Sequence, residues 1–217
     1  MKHLIKINTI FNNRNIVCDV DDLDSNLCGV VSCINPHSLV TSLFDSDFFD
    51  AINKSDHLLI DGVGAYVYGK VLNIKCKRIT GSDFFDYLRL NRCAGKKVLF
   101  LGSTDNTLRQ IQVNFQRECQ GLVCCDLFSP SFKSSFTKHD VLDWAKKIDF
   151  EKYDFIFLGL TAPKQEKLSL LLSSFIRPDA LIVNIGAVFD YYSGVKPSPV
   201  KVIRFLGLEW LHRFFLE

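Results

Sequence analysis

The chain has 217 residues, of which 23% are charged and 47% are hydrophobic, and its formal net charge is +2. This length and composition are ordinary for a soluble globular protein with a substantial core, and we expect one domain spanning residues 1–217. The small net charge argues against a nucleic-acid partner, which would favour a strongly basic surface.

The metal-binding patterns in the sequence are weak. The eight cysteines contain no C-x-x-C pair and the five histidines contain no H-x-x-x-H pair, so a structural zinc site is not expected. Two D-x-D triplets, Asp19–Asp21 and Asp45–Asp47, match a pattern used for metal-bound sugar nucleotides. Acidic helix starts produce the same pattern, and a hard cation needs several convergent oxygens. We therefore expect no metal site, with metal binding by the first triplet as the alternative.

No run of residues approaches the length of a membrane-spanning helix. Residues 1–13 alternate polar and apolar side chains and lack the continuous apolar core of a signal peptide. These features predict a cytosolic protein with reduced thiols.

The first segment is predicted to form a β-hairpin. Leu4–Ile7 and Ile16–Cys18 are the candidate strands, and the asparagine-rich stretch Phe11–Asn15 between them suits a turn.

A buried strand and a helix follow this hairpin. Gly29–Ile34 reads as a strand, and Pro36 suits the first position of a helix predicted over His37–Asn53. Asn35 lies at the turn between them, where it could cap the helix or contact a substrate. We interpret His37 as an exposed first-turn residue, with acid–base catalysis as the alternative.

The stretch around Asp61 is the strongest candidate for chemistry. Leu58–Ile60 reads as a short buried strand that ends in Asp61, and a helix-compatible run follows to Leu72. Ligands of open α/β sheets bind outside the carboxyl ends of the strands. Gly62 and Gly64 allow the backbone to approach a ligand closely. Asp61 is therefore placed either to act as a general base or to cap the next helix.

A basic segment leads to another helix start. Lys75–Arg78 is followed by Gly81 and Ser82, which open an amphipathic helix to about Arg92. A helix N-terminus beside basic residues can bind an anion. The alternative is a solvated basic loop.

From Lys97 onward, apolar strands alternate with helices, which predicts a mostly parallel, Rossmann-like α/β sheet covered by helices on both faces. The turn Gly102–Thr104 is not a G-x-G-x-x-G fingerprint and no P-loop occurs, so NAD and ATP enzymes are disfavoured. The predicted strands are Val98–Leu101, Leu122–Cys125, Phe155–Leu160 and Ala180–Gly186, and the predicted helices run to Cys119, over His139–Ile148 and to Phe175.

The closing segment, Pro197–Glu217, combines apolar and aromatic residues with Lys201, Arg204, His212 and Arg213. This mixture is typical of a docked core helix, and a helix lying on a membrane surface has the same signature.

Four stretches occur in a fixed order across nearly the whole chain: Leu59–Gly64, Arg78–Asp83, Ala162–Glu166 and Gly207–Arg213. Together they resemble the WecG/TagA/CpsF glycosyltransferases, glycosyltransferase family 26. The resemblance implies an inverting, metal-independent transfer of a sugar from a UDP-sugar to an undecaprenyl-diphosphate-linked acceptor at the cytoplasmic face of the membrane. It implies no cofactor, because the UDP-sugar is a substrate.

The resemblance assigns roles to individual residues. Asp61 matches the family's proposed catalytic base, and Asn35 matches the asparagine of its Thr-x-Asn turn. The threonine of that turn is Cys33 here, which removes a hydroxyl donor, and the family's Arg-Ala-Pro appears as Pro197–Pro199. The predicted acceptor- and donor-binding residues are Asn35, Cys33, Arg78, Gly81, Ser82, Asp83, Gln165 and Arg213.

A metal-free mechanism needs cations and helix N-termini to stabilise the departing diphosphate. Arg78 and Lys164 are the candidate cations. Asp190 could accept a hydrogen bond from the uracil imide, and its alternative role is that of a helix-start acid. The predicted UDP-binding residues are Gly62, Gly102, Ser103, Thr104, Lys164, Gly186 and Asp190.

The expected organisation is an acceptor-binding and catalytic half at residues 1–95, a nucleotide-binding half at 96–196, and an amphipathic segment at 197–217 that contacts the membrane. The expected partners are the UDP-sugar, the lipid-linked acceptor and a possible second copy of the chain. The alternative functions are a non-catalytic nucleotide-binding or regulatory module, and a methyltransferase or reductase with an atypical turn.

Overall fold

A single parallel sheet organises the computed structural model, which describes residues 2–12, 16–20 and 27–197. The strands are β1 (Gly29–Ile34), β2 (His57–Ile60), β3 (Lys97–Gly102), β4 (Cys124–Phe128), β5 (Phe155–Gly159) and β6 (Leu181–Asn184). Their order in the sheet is β2-β1-β6-β5-β3-β4, and every pair is parallel. The predicted parallel α/β sheet is confirmed.

Nine helices accompany the sheet in the described residues. They are α1 (Lys2–Phe11), α2 (Pro36–Phe44), α3 (Ser46–Asn53), α4 (Val63–Val71), α5 (Gly81–Asn91), α6 (Asp105–Glu118), α7 (Lys138–Ala145), α8 (Lys164–Leu172) and α9 (Val188–Tyr192). Short 3₁₀ turns lie at Phe150–Lys152 and Ser173–Phe175.

Both faces of the sheet are covered, as the continuous apolar strands predict. Successive side chains of a strand point to opposite faces. Phe157 of β5 therefore packs with residues of α5, α6 and α9, whereas its neighbours Ile156 and Leu158 pack with residues of α7 and α8. Apolar side chains of β2 also pack with α1, α2 and α3 at the edge of the sheet.

Aromatic rings fill the core on one face. Phe100 stacks on Phe157 with ring centroids 5.2 Å apart, and Phe115 meets Phe100 edge-on at 5.0 Å. Phe85 and Phe189 pack against the same group. Edge-to-face and offset ring pairs contribute beyond the area they bury, so this cluster accounts for part of the high phenylalanine content.

The predicted N-terminal hairpin is not confirmed. The segment predicted as its first strand lies in α1, because Ile7, Ile10 and Phe11 have helical spacing and form one packed face. Phe11 lies close to Gly69 of α4, and Tyr68 of that helix donates to Asn8 at 2.9 Å. The segment after α1 forms a short parallel bridge to β2 instead of a hairpin.

Two element boundaries also differ from the prediction. The single helix predicted over residues 37–53 is two helices, because the Asp45 side chain accepts a hydrogen bond from Phe48 N at 3.0 Å and starts α3. The fourth strand lies two to three residues later than expected. The polar Asp126 interrupts the apolar run of this strand, so the residues after it were not predicted to belong to β4. The Asp126 carboxylate accepts hydrogen bonds from Lys152 at 2.7 Å and from Tyr153 at 2.6 Å.

Among the described helices none is long and apolar enough to cross a membrane. All eight cysteines have free thiols. The amphipathic segment predicted after Pro197, including Arg213, lies outside the described residues.

Candidate functional site

Asp61 lies beside Asn35 at the carboxyl edge of the sheet. Ile34 and Ile60 are register partners at the ends of β1 and β2. Asn35 and Asp61, the residues that follow them, therefore lie side by side at the end of the two strands. The backbone N–H of Asp61 donates to the carbonyl of Ile34 at 2.8 Å. A Cβ added at Gly62 would lie 3.4 Å from Pro36 and 3.8 Å from Asn35, so the glycine allows the two turns to pack closely.

Asp61 does not cap the helix that follows it. The N-cap of α4 is Gly62, with a φ of 82° and no side-chain cap hydrogen bond. The half-buried residue Asp61 therefore lies at the carboxyl edge of the sheet, where open α/β sheets bind ligands, and it does not cap α4.

Asn35 does cap a helix. Its Oδ1 accepts a hydrogen bond from Ser38 N at 2.9 Å, and the Ser38 hydroxyl accepts one from Asn35 N at 2.8 Å. This capping box uses only the oxygen of the carboxamide, so its NH₂ group can still donate to a ligand. The neighbouring His37 is exposed on the first turn of α2, as expected.

The Arg78–Asp83 stretch reaches the same edge. Ile79 N donates to the carbonyl of Ile60 at 3.0 Å, so the backbone next to Arg78 lies at the end of β2. Thr80 is the N-cap of α5 and forms a capping box with Asp83, to whose carboxylate its hydroxyl donates at 2.7 Å. The carboxylate of Asp83 therefore stabilises the start of this helix. Ser82 is half-buried in the same first turn.

Gly81 brings the N-terminus of α5 over the ends of β1 and β6. A Cβ added there would lie 3.5 Å from Cys33 Sγ and 3.9 Å from the Cα of Ile185. The Cys33 thiol donates to the carbonyl of Asn184 at 3.7 Å. Burial raises the pKa of Cys33 well above its usual value, and the charges of Asp61 and Glu166 raise it further. The thiol is therefore neutral, and both carboxylates lie near enough for their charges to raise its pKa.

A buried polar layer lies under this site and was not predicted. The Nδ2 of Asn184 donates to Ser32 at 2.9 Å and to Ser169 at 3.0 Å, which joins β6, β1 and α8. Ser32 in turn shares a hydrogen bond with Ser55 at 2.8 Å. The signal in the sequence was a single polar residue in each of two otherwise apolar strands.

Gln165 and Glu166 continue the polar layer at the start of α8. Both are buried, and Gln165 Nε2 donates to Glu166 Oε1 at 2.9 Å. A Cβ added at Gly186 would lie 3.4 Å from Gln165 Oε1, so the predicted Gln165 and Gly186 do meet. Glu166 was absent from the predicted site, although it adjoins Gln165 in the chain.

The turn after β3 forms a second group further along the edge. Gly102 has a φ of 120°, and a Cβ there would lie 2.7 Å from the carbonyl oxygen of Gly159, so only glycine fits beside β5. The carbonyl of Ser103 accepts a hydrogen bond from the Ser129 hydroxyl at 2.8 Å. Thr104 caps α6 by accepting from Thr107 N at 3.3 Å.

Two predicted UDP-binding side chains have partners within the protein. Lys164 Nζ donates to the carbonyl of Lys133 at 2.9 Å and lies 4.9 Å from the ring centroid of Phe132. Asp190 pairs with Lys196 at 3.0 Å in the first turn of α9.

One acid of each D-x-D triplet is engaged elsewhere, and Asp21 lies outside the described residues. Asp19 forms an ion pair with Lys77, and Asp45 pairs with Lys167 at 2.7 Å while capping α3. In the part of the chain that the structure describes, no three His, Cys, Asp or Glu side chains are grouped as metal ligands.

Comparison with known proteins shows similarity of the chain to glycosyl transferases. The "Glycosyl transferase WecG/TagA/CpsF family" matches residues 11–217. Three similar proteins are each named N-acetylglucosaminyldiphosphoundecaprenol N-acetyl-beta-D-mannosaminyltransferase. The one from Bacillus subtilis (strain 168) is 27% identical over 213 residues, covering 94% of this chain and 80% of its own length. The one from Bacillus spizizenii is 28% identical, with 88% and 72% covered, and the one from Staphylococcus aureus (strain NCTC 8325 / PS 47) is 23% identical, with 84% and 70% covered.

Proposed function

This chain belongs to the WecG/TagA/CpsF glycosyltransferase family, and we propose that it transfers a sugar from a UDP-sugar to a lipid-diphosphate-linked acceptor with inversion at the anomeric carbon. The names of the relatives support an undecaprenyl diphosphate carrying N-acetylglucosamine as acceptor and an N-acetylmannosamine-type donor. A uronic acid or another hexose are the alternative donor sugars. The pathway is the assembly of a cell-surface polysaccharide.

The observation that carries the proposal is the position of Asp61. It follows β2 at the carboxyl edge of the sheet, adjoins Asn35, and is not the cap of α4. A carboxylate in this position can remove the proton from an acceptor hydroxyl as that oxygen attacks.

In the proposed step, the acceptor oxygen loses its proton to Asp61 and forms a bond to the anomeric carbon. The bond between that carbon and the diphosphate oxygen breaks on the opposite face, and UDP leaves with the bonding electron pair. Because the acceptor oxygen attacks the face opposite the departing UDP, this single displacement inverts the configuration of the anomeric carbon. The N-terminus of α5 lies at this edge and the backbone next to Arg78 lies at the end of β2, so both would stabilise the charge of the departing diphosphate.

We propose that the transfer proceeds without a metal ion. One acid of each acidic triplet is committed to another interaction, since Asp19 pairs with Lys77 and Asp45 pairs with Lys167 and starts α3. Activity should therefore survive EDTA. Loss of activity in the chelator, restored by magnesium or manganese, would contradict this part of the proposal.

We also propose peripheral contact with the inner face of the cytoplasmic membrane, because a lipid-linked acceptor keeps its diphosphate at the headgroup level. Arg204 and Arg213 belong to a basic and aromatic segment of the sequence that suits such contact. Each basic residue near anionic lipid contributes on the order of 1 kcal/mol. Salt-sensitive co-sedimentation with anionic vesicles, weakened by Arg204→Glu with Arg213→Glu, is expected. Equal binding to neutral vesicles would contradict it.

A donor screen tests the proposed function directly. The full chain is incubated with individual UDP-sugars and a short-chain diphospholipid acceptor carrying N-acetylglucosamine, and UDP release is measured. One donor should release UDP only when the acceptor is present, and NMR of the product should show the inverted anomer. Binding of UDP without release from any donor would favour a non-catalytic nucleotide-binding module.

A further inference from the structure

Glu166 is a buried carboxyl next to a proposed substrate-binding residue. It lies in the first turn of α8 and is only 2% exposed. Burial raises the pKa of Glu166 to about 7, and its hydrogen bonds from Gln165 and from its own backbone N–H oppose that increase only in part. Titration near neutral pH in a cleft is typical of functional carboxyls.

The surroundings of Glu166 are polar, and no lysine or arginine of the described residues forms an ion pair with its carboxyl. Lys167, the next residue, is paired with Asp45 of α3, and Lys164 donates to Lys133. From β1 the facing titratable group is the neutral thiol of Cys33, which is subject to the charges of both Glu166 and Asp61. From β6 the nearby polar side chain is the uncharged Asn184, linked to α8 through Ser169. The charge of Glu166 therefore acts mainly on its hydrogen-bonded neighbour.

That neighbour is the carboxamide of Gln165. An ionised carboxylate only accepts hydrogen bonds, so it draws the NH₂ group of Gln165 towards itself and turns the oxygen away. Gln165 is 7% exposed, and its Oε1 meets no donor among the residues that the structure describes. A buried acceptor of this kind needs a donor, and a ligand hydroxyl or amide N–H provides one.

The strand order indicates which part of the substrates meets Gln165. Gln165 follows β5 and Gly186 follows β6, and these two strands lie between β1 and β3 in the sheet. Asp61 follows β2 on one side of them, and the Gly102 turn follows β3 on the other. If Asp61 binds the acceptor hydroxyl and the β3 side binds the nucleotide, then the transferred sugar lies between them, beside Gln165.

Resting on the proposed function, we propose that Glu166 is a positioning residue that holds Gln165 with its carboxamide oxygen towards the donor sugar, where it accepts a hydrogen bond from a hydroxyl or an acylamino N–H. Protonation of Glu166 removes this control, because a neutral carboxyl can also donate to the oxygen of Gln165. The carboxamide can then turn and present its NH₂ group, which cannot accept a hydrogen bond from the sugar.

The test compares the pH dependence of kcat/KM in the wild type and in Glu166→Gln. The variant carries a donor and an acceptor, as the protonated carboxyl does. The wild-type to variant ratio should be close to one below about pH 6 and should rise roughly 3- to 10-fold above about pH 8, the worth of one hydrogen bond. Protonation of Asp61 affects both proteins and cancels in the ratio. A ratio that stays constant with pH overturns the proposal.

Glu151→Gln is the matched control, because Glu151 is an exposed carboxyl in the turn before β5. Its ratio to the wild type should be one at every pH. In a Gln165→Ala background, Glu166→Gln should have no further effect on kcat/KM, because the carboxyl acts through Gln165. Full additivity of the two substitutions would mean that Glu166 has a separate structural role.

Binding measurements identify the part of the substrate involved. At high pH, Glu166→Gln should weaken binding of the UDP-sugar by a similar factor and leave the Kd of UDP unchanged. Equal weakening of both ligands would place Gln165 at the nucleotide and overturn the assignment to the sugar.

A titration of the free protein separates this inference from the proposed function. Carbon-13 NMR should show a Glu166 carboxyl midpoint near neutral pH, and the Gln165 NH₂ signals should shift with the same midpoint. If these signals move together but no donor releases UDP, the proposed function fails and the coupling stands. If transfer occurs and the Gln165 signals do not follow Glu166, the inference fails alone. The wild-type titration also decides the question should Glu166→Gln fail to fold.

Discussion

The sheet around β3 is packed with aromatic rings, whereas the sheet around β1 and β6 rests on a buried polar layer. On the β3 side, Phe100 and Phe157 stack at 5.2 Å within a cluster of buried rings. On the β1 and β6 side, Asn184 joins Ser32 and Ser169 at about the same depth. One side is held by contacts that do not change with pH, and the other contains a carboxyl that titrates near neutrality.

This difference in packing agrees with the proposed position of the site. Burying aromatic rings against one another is favourable, whereas burying a polar atom without a donor costs roughly 1–3 kcal/mol. The buried acceptor atoms of Gln165, Glu166 and Asn184 that lack a donor in the described part of the chain all lie on the side of Asp61. Buried polar atoms without hydrogen-bond partners are expected at functional sites. The packing of the aromatic cluster can offset the stability that they cost.

The largest expected effect is the loss of transfer in Asp61→Asn. Asparagine keeps the shape of the side chain but cannot accept the proton of the acceptor hydroxyl. Turnover should fall by roughly 10²- to 10⁴-fold, the usual contribution of a general base, while UDP binding stays unchanged. Steady-state kinetics and UDP titration measure the two quantities. Turnover near that of the wild type would remove Asp61 from the mechanism.

Loss of a ring on the aromatic side should affect stability instead. Phe100→Ala should lower the free energy of unfolding by roughly 3–5 kcal/mol, because it leaves a cavity among rings that cannot close around it. Phe132→Ala is the matched control, since Phe132 is 96% exposed, and its effect should stay within about 0.5 kcal/mol. Urea unfolding measures both. Similar values for the two variants would contradict the role of the aromatic cluster.

The polar side should respond to pH in the opposite sense from a salt-bridged acid. The pKa of Glu166 is raised from 4.5 to about 7, so the folded protein holds this proton more tightly than the unfolded chain. Its free energy of unfolding therefore falls as pH rises between these values and stays lower above them. Glutamine does not ionise, so Glu166→Gln should gain roughly 3 kcal/mol relative to the wild type between about pH 4 and pH 8. Urea unfolding across pH measures the change, and a difference that does not vary with pH would contradict it.

The smallest expected effects separate the two candidate cations of the leaving group. The backbone next to Arg78 lies at the end of β2, which Asp61 follows, and on the proposed function Arg78→Ala should raise the KM for the UDP-sugar about 10-fold, as loss of a charge-assisted hydrogen bond does. Lys164 already donates to the carbonyl of Lys133, so Lys164→Ala should raise the KM by a smaller factor. Donor kinetics with both variants test this order. A larger effect at Lys164 would place the diphosphate nearer the start of α8.

Much of the sheet could be predicted because strand formation here depends on local patterns. The apolar runs of β3 and β5 are continuous, that of β1 is broken only by Ser32, and a helix follows each strand, which indicates a parallel sheet without any knowledge of contacts. Where the local pattern was ambiguous, the prediction failed. Alternation in α1 resembled a strand, and the helical face formed by Ile10 and Phe11 became evident only when its packing against α4 was known.

The site was predictable in part for the same reason. Asp61 and Asn35 follow apolar strands, so their place at the carboxyl edge follows from chain order alone. The sequence alone does not show that β6 lies beside β1, because the order of strands in a sheet depends on long-range packing. Without that order, Asn184 is one polar residue in a strand and Glu166 is one acid in a helix.

The sequence by itself determined the alternation of strands and helices, the turns that follow the strands, and the four stretches that identify the family. These properties depend on residue type and spacing, which are local. The tertiary structure alone decided that Gly62 rather than Asp61 caps α4, and that Asp45 starts a new helix. It also decided that Glu166 is buried beside Gln165, because burial and the resulting change in pKa depend on every element packed around a side chain.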